Sequence, residues 1–179
     1  MIELVKEILE VRKQMKKNII FIGMPAVGKS AIGVIMAKKL GYQFIDTDIV
    51  IQEKTGRLLR EIIAENGSEE FLKLEDEVNS QIDVTEAVIS PGGSVIYCKN
   101  AMKHFKKIGT VVYLQASYEM IAPRLKNIKK RGVVLREGQT LQDLYDERIL
   151  LFEKYADITV NQDKASLMEN VERVIKALK

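Results

Sequence analysis

The segment Gly23-Met24-Pro25-Ala26-Val27-Gly28-Lys29-Ser30 has the form G-x-x-x-x-G-K-[ST], set between an apolar run ending at Ile22 and a helical pattern beginning at Lys29. Each residue type in it suits a polyphosphate. The glycines let the backbone wrap a phosphate, amide N–H groups and the helix N-terminus attract negative charge, Lys29 reaches the β- and γ-phosphates, and Ser30 is a ligand for Mg²⁺. Pro25 has no N–H to give, so the expected nucleotide cradle is Gly23 with Ala26, Val27, Gly28, Lys29, Ser30 and Ala31. The competing reading, a strand-to-helix turn whose glycines serve only the backbone, fits the flanking patterns less well.

A second cluster, Asp46-Thr47-Asp48, follows the next apolar run. Ligands collect at the carboxyl edge of a parallel sheet, and alternate residues leaving a strand share a face. Asp46 is then directed toward Ser30 and a metal ion, and Asp48 toward a hydroxyl whose proton it orients or accepts. The same residues also suit an Asx turn and a helix N-cap, and spacing leaves both readings open. A phosphate loop does not itself name the destination of the phosphate. Nothing here matches the guanine-selecting N-K-x-D pattern, and 179 residues leave too little chain for a motor domain, so ATP-dependent phosphorylation of a small hydroxylated molecule is the expected chemistry.

Five short β-rich runs must carry these groups, starting at Asn18, Tyr42, Ala87, Thr110 and Asp157. Helical patterns fill Lys29 to Leu40, Ser68 to Ile82, Lys99 to Lys107, Ser117 to about Asn127, Thr140 to Tyr155 and Lys164 to Leu178. Apolar strands alternating with helices imply right-handed crossovers and a mostly parallel sheet covered on both faces, a three-layer α/β class. Ile2, Val5, Ile8, Leu9 and Met15 have roughly helical spacing, so residues 1–17 are expected to form an amphipathic helix ahead of a single domain over 18–179.

Composition agrees with that organisation: 46% hydrophobic and 30% charged residues exclude a disordered or collagenous chain. Lys+Arg 28 against Asp+Glu 25 gives a scattered net charge of +3, which describes no nucleic-acid stripe. Cys98 is the single cysteine and has no disulfide partner, charge interrupts the apolar residues of the first segment as no signal peptide allows, and no apolar run approaches a bilayer span. A cytoplasmic protein with neither membrane nor nucleic-acid partner is expected.

With the phosphate loop and Asp46-Thr47-Asp48 go Thr55-Gly56-Arg57, G-x-x-x-F-x-x-x-E from Gly67 to Glu75, Pro91-Gly92-Gly93, an arginine-bearing segment around Arg131, and Arg148 followed by Ala156-Asp157. In order and spacing, over roughly Asn18 to Val160, the chain resembles the shikimate kinase family. The resemblance implies a five-stranded parallel sheet of order 2-3-1-4-5, a substrate-binding region over about 47–82 and a lid over about 126–139. It implies ATP and Mg²⁺ as cofactors, with Lys29 and Ser30 on phosphate and metal, Asp46 on the metal through water, and Asp48 on the reacting hydroxyl. Gly92 and Gly93 match the turn whose amides approach the substrate. Arg131 matches the lid arginine, Arg124 an arginine packed on adenine, and Arg148 one that grips the substrate carboxylate.

The resemblance breaks at Leu72, where the family carries the second arginine of the carboxylate clamp. Charged hydrogen bonds contribute roughly 1.5–3 kcal/mol each, so the loss weakens carboxylate recognition by about tenfold to a hundredfold unless another cation substitutes. Lys73 is the nearest replacement, displaced by about 100° around a helix. Glu75 loses its arginine partner at i−3 and becomes free to bind something else. Ser94, Ser68, Ala26 and Gly132 also depart from the family, and Ala26 threatens nucleotide binding because alanine tolerates positive φ poorly.

Three functions follow as expectations: a kinase with shikimate as its default acceptor, a kinase for a different polyol, or a non-catalytic nucleotide-binding module docking through the N-terminal helix, as a monomer or weak homodimer. His104, with no second histidine, reads as a solvated surface residue, and the seven methionines as core filler.

Overall fold

Strand β1 (Asn18–Ile22) is buried along its whole length, as a strand covered on both faces must be. It lies at the centre of a sheet seen in a computed structural model that describes residues 6, 7, 10, 11, 18–125, 135, 136 and 138–179. The remaining strands are β2 (Gln43–Asp46), β3 (Ala87–Ser90), β4 (Gly109–Gln115) and β5 (Ile158–Asn161). All pairings are parallel and the order is β2-β3-β1-β4-β5. β3 is also fully buried, whereas the edge strands β2 and β5 are largely half-open.

Helix α1 (Lys29–Leu40) connects β1 to β2, and α2 (Thr47–Thr55) with α3 (Leu59–Ser80) connects β2 to β3. Helix α4 (Lys99–Ile108) precedes β4, followed by the short α5 (Tyr118–Ile121), then α6 (Leu141–Tyr155) and α7 (Leu167–Ala177). Right-handed crossovers put α1 on one face and the others that link strands on the opposite face. Helix α7 packs beside α1, and α3 beside α4, so the molecule has the expected three layers.

The reach of α2 and the first half of α3 was not expected from the sequence pattern. α2 is started by Asp46, whose carboxylate accepts from the Asp48 N–H, and ended by Gly56 at φ 68°. α3 bends at Gly67, where φ 79° and ψ 170° break helical geometry. Ile51, Ile62, Phe71 and Val78 form a small apolar cluster of their own between these helices, apart from the main core. The expected solvated role of His104 is corrected: its half-buried ring hydrogen-bonds the carbonyl of Ile82 at 2.7 Å, just past the end of α3.

Of the expected N-terminal helix, Lys6, Glu7, Glu10 and Val11 are described and helical, Val11 is fully buried in the core, and Glu7 pairs with Lys179 at 2.5 Å. The other residues of 1–17, and the lid positions 126–134 and 137, lie outside the described residues.

Asn18 binds three connections together. Its Nδ2 donates to the carbonyls of Val84 at 2.8 Å and Ile108 at 3.0 Å, and its Oδ1 accepts from the Ala87 N–H at 3.0 Å. Removing that side chain orphans the buried Ala87 N–H, at about 1–3 kcal/mol, and leaves the half-buried carbonyls of Val84 and Ile108 to solvent at less. Asn18→Ala is expected to lower the unfolding free energy by about 2–4 kcal/mol in a denaturant titration.

Candidate active site

The carboxyl ends of β1, β2 and β3 open into one cavity of about 460 Å³. Ala26, Gly28, Lys29, Ser30 and Ala31 line it from the phosphate loop, Asp46 and Asp48 from the start of α2, and Gly92, Gly93 and Ser94 from the turn after β3; Arg148 lines it from α6. Leu72 also lines it. Gly23 and Val27 are buried beneath the loop rather than facing the cavity.

The backbone explains the loop's residues. Gly23 sits at φ 150°, and a Cβ there would stand 2.7 Å from the Leu114 carbonyl oxygen of β4. Gly28 is at φ 110°. Ala26 takes φ 65°, so the alanine expected to resist positive φ adopts it. Its carbonyl accepts from Arg124 Nη1 at 3.2 Å, which puts Arg124 against the outer side of the loop. Lys29 Nζ donates to the carbonyls of Gly23 at 3.0 Å and Met24 at 3.2 Å. Burial lowers the Lys29 pKa to about 8, against the opposing pull of Asp48.

Ser30 Oγ donates to Asp46 Oδ2 at 2.9 Å, while Asp46 Oδ1 accepts from the Asp48 N–H at 3.1 Å. The capping reading of this cluster is realised by one oxygen of Asp46, and the other oxygen stands against Ser30. A hydroxyl and a carboxylate, both hard oxygen donors side by side at the mouth of a phosphate loop, fit Mg²⁺. Asp48 is raised to about 6, first by burial and then by the charge of Asp46.

At the other end of the cavity Arg148 is 5% exposed, its guanidinium 5.5 Å from the centre of the Tyr97 ring. Its Nε has no hydrogen-bond partner among the described residues. A buried guanidinium with an unused donor is a site for an anion. Gly92 and Gly93 are packed too tightly for side chains: at Gly93 a Cβ would stand 2.8 Å from the Pro25 ring and 3.2 Å from Arg148 Nη1.

Lys73 does not replace the missing arginine. It is exposed, pairs with Glu70 Oε1 at 2.6 Å and does not line the cavity, because one residue along α3 turns it to the outer face. Glu75, expected to be a free carboxylate, is fully buried; Oε2 accepts from Ser94 Oγ at 2.7 Å. Arg131 lies outside the described residues.

Sequence reasoning missed a polar cluster at the mouth: Glu147 accepts from Tyr97 Oη at 2.7 Å and Gln139 Nε2 at 3.2 Å, and meets Arg136 Nη2 at 3.4 Å. Its one signal was the position of Glu147 beside Arg148.

The family model described as shikimate kinase matches residues 25–179. The chain is 35% identical to a shikimate kinase of Thermodesulfovibrio yellowstonii, covering 89% of this chain and 94% of that one. Among solved structures, a shikimate kinase from Acinetobacter baumannii in complex with shikimate superposes with a TM-score of 0.82 at 27% identity, covering 89% of this chain and 91% of that one. A shikimate kinase from Aquifex aeolicus gives 0.77 at 30% identity, over 90% of this chain and 95% of that one.

Alanine at φ 65° costs about 1–2 kcal/mol, part of which a glycine returns through its looser unfolded chain. Ala26→Gly is expected to raise stability by about 0.5–1 kcal/mol in chemical unfolding while leaving ATP affinity within about twofold in a titration.

Proposed function

The chain belongs to the shikimate kinase family, phosphotransferases that act on a hydroxyl group, and we propose that shikimate itself is its acceptor, with ATP as donor and Mg²⁺ as the metal. The observation that carries this reading is the placement of the Ser30–Asp46 oxygen pair, Asp48 and the buried guanidinium of Arg148, whose Nε has no partner among the described residues, around one cavity.

Ser30 and Asp46 would hold the metal, which when bound offsets charge on the phosphates. Backbone amides of the phosphate loop and the ammonium of Lys29 hold the β- and γ-phosphates in line with the acceptor. Asp48 receives the acceptor hydroxyl: a carboxylate lifted to about 6 is still ionised at pH 7 yet more basic than an ordinary aspartate, which suits it to orient that hydroxyl and take its proton. Arg148 holds the carboxylate at the far end of the acceptor, and the amides of Gly92 and Gly93 approach its ring. Arg131 is the proposed donor to the transferring phosphoryl group, and Arg124 flanks the base.

A neutral polyol, the acceptor that Leu72 brings to mind, leaves the buried guanidinium of Arg148 without a counter-ion. A purely nucleotide-storing module has no use for Asp48.

A coupled assay with MgATP and shikimate is expected to yield ADP and shikimate 3-phosphate in equal amounts. Asp48→Asn should lower kcat by about 10²–10⁴-fold with ATP affinity kept. Arg148→Ala should raise KM for shikimate by about tenfold to a hundredfold. Faster turnover of neutral cyclitols than of shikimate would overturn the acceptor, and absence of ATP binding would overturn the enzyme.

A further inference from the structure

Glu75 holds neither nucleotide nor metal nor the reacting hydroxyl, yet it is fully buried in α3 beside the acceptor end of the cavity. Its Oε2 accepts from Ser94 Oγ at 2.7 Å and lies 3.8 Å from Cys98 Sγ. Its Oε1 has no hydrogen-bond partner among the described residues. Leu72, one turn earlier, is aliphatic, Lys73 is turned away, and among the described residues no cation forms an ion pair with it.

Gly92 shows how close this carboxyl lies to Asp48, the proposed partner of the acceptor hydroxyl. From the point where a Gly92 Cβ would stand, Glu75 Oε1 is 2.7 Å away and Asp48 Oδ1 is 3.0 Å away. Two carboxylate oxygens converging behind one glycine cannot both be ionised cheaply. The groups facing Glu75 are Asp48 from α2, Arg148 from α6, Lys29 from α1, and Ser94 and Cys98 from the turn after β3. Burial pushes Glu75 up to about 7 and Asp48 adds to this, outweighing the hydroxyl of Ser94 and the charge of Arg148.

We propose that Glu75 is a positioning and specificity residue, kept as a neutral acid behind the Gly92–Ser94 turn so that a carboxylate-bearing acceptor binds at Arg148 without a second arginine. This rests on the acceptor reading given under Proposed function. When Glu75 ionises, its charge opposes the acceptor carboxylate and weakens binding, and the acceptor hydroxyl at Asp48 is held less often.

The test is KM for shikimate from pH 5.5 to 8.5 at saturating MgATP. The wild-type KM is expected to rise about 5- to 20-fold between pH 6 and 8. Glu75→Gln, an uncharged mimic, should remove most of that rise and hold KM near the low-pH value, with kcat at a given pH within about threefold and its pH dependence, set by Lys29 and Asp48, retained. The methyl ester of shikimate, which has no carboxylate to repel, should show no rise with the wild type. A rise that persists in Glu75→Gln, or appears equally with the ester, overturns the proposal.

Thermal unfolding reads the same proton without any acceptor. A carboxyl raised from 4.5 to about 7 binds its proton more tightly when folded, so its contribution to stability is present below 4.5 and is lost as pH rises through 7. Glu75→Gln should remove that decline. If shikimate is not turned over at any pH, the acceptor reading fails, while the unfolding profile still decides the protonation of Glu75; an unchanged profile overturns it. Should Glu75→Gln not fold, Leu72→Arg places a cation one turn away and should flatten the KM profile in its place.

Discussion

Ionised groups have to be assembled in a protein whose interior is almost wholly apolar, and that constraint decides where the chemistry sits. β1 and β3 are buried end to end, so they have no place for a charge within the sheet. Only beyond the carboxyl edge of the sheet, where the backbone is freed from the ladder, do Lys29 at the start of α1, Asp48 in α2 and Arg148 in α6 come together. The consequence is crowding. Glycine stands at 23, 92 and 93 because a backbone carbonyl, two carboxylate oxygens, and a proline ring with a guanidinium already fill the space a side chain would take.

The crowding also joins the two halves of the site. The Pro25 ring packs on Gly93, so the loop that receives phosphate and the turn that meets the acceptor are in direct contact. A proline removes one amide from the cradle, and in exchange it supplies a rigid apolar spacer whose φ is fixed. Asp46 is similarly shared: one oxygen starts α2 and thereby aims Asp48, while the other stands against Ser30. A carboxylate has two oxygens, so the one that caps the helix leaves the other at the phosphate loop.

This economy explains what could be read in advance. The five strands, their parallel sense and the phosphate loop were legible because apolar runs, alternation and a glycine-lysine signature are local properties of the chain, whereas the order of the strands came from the resemblance to the family. α2 and the start of α3 were not, because charged and apolar residues alternate irregularly there and the helices are held by a small cluster, Ile51, Ile62, Phe71 and Val78, assembled from distant positions. The contact of Ser94 with Glu75 spans nineteen positions, and no spacing rule reports it. Lys73 was the nearest cation in sequence, already about 100° around the helix from Leu72, and what the sequence could not report is that it pairs outward with Glu70. Ala26 was a sound worry about local strain, and the structure meets it by accepting φ 65° within a loop fixed at both ends by glycine.

Leu72 and Ser94 are best understood as one change rather than two. The resemblance to the family puts an arginine at the first position and a glycine at the second, an arrangement in which Glu75 is paired with a cation. With leucine there, a buried carboxylate would face several kcal/mol of desolvation with nothing to offset it. The hydroxyl of Ser94 meets one oxygen at 2.7 Å, and a proton on the carboxyl removes the charge. An ion pair and a hydrogen-bonded neutral acid carry the same net charge, so the field at Asp48 and Arg148 is preserved while the cost of burying two ions is avoided. What changes is the dependence on solvent acidity: an ion pair stays balanced across the neutral range, but a neutral acid is balanced only while it keeps its proton. The substitution at Leu72 thus leaves the class of reaction untouched and moves its sensitivity from the identity of a side chain to the occupancy of a single proton.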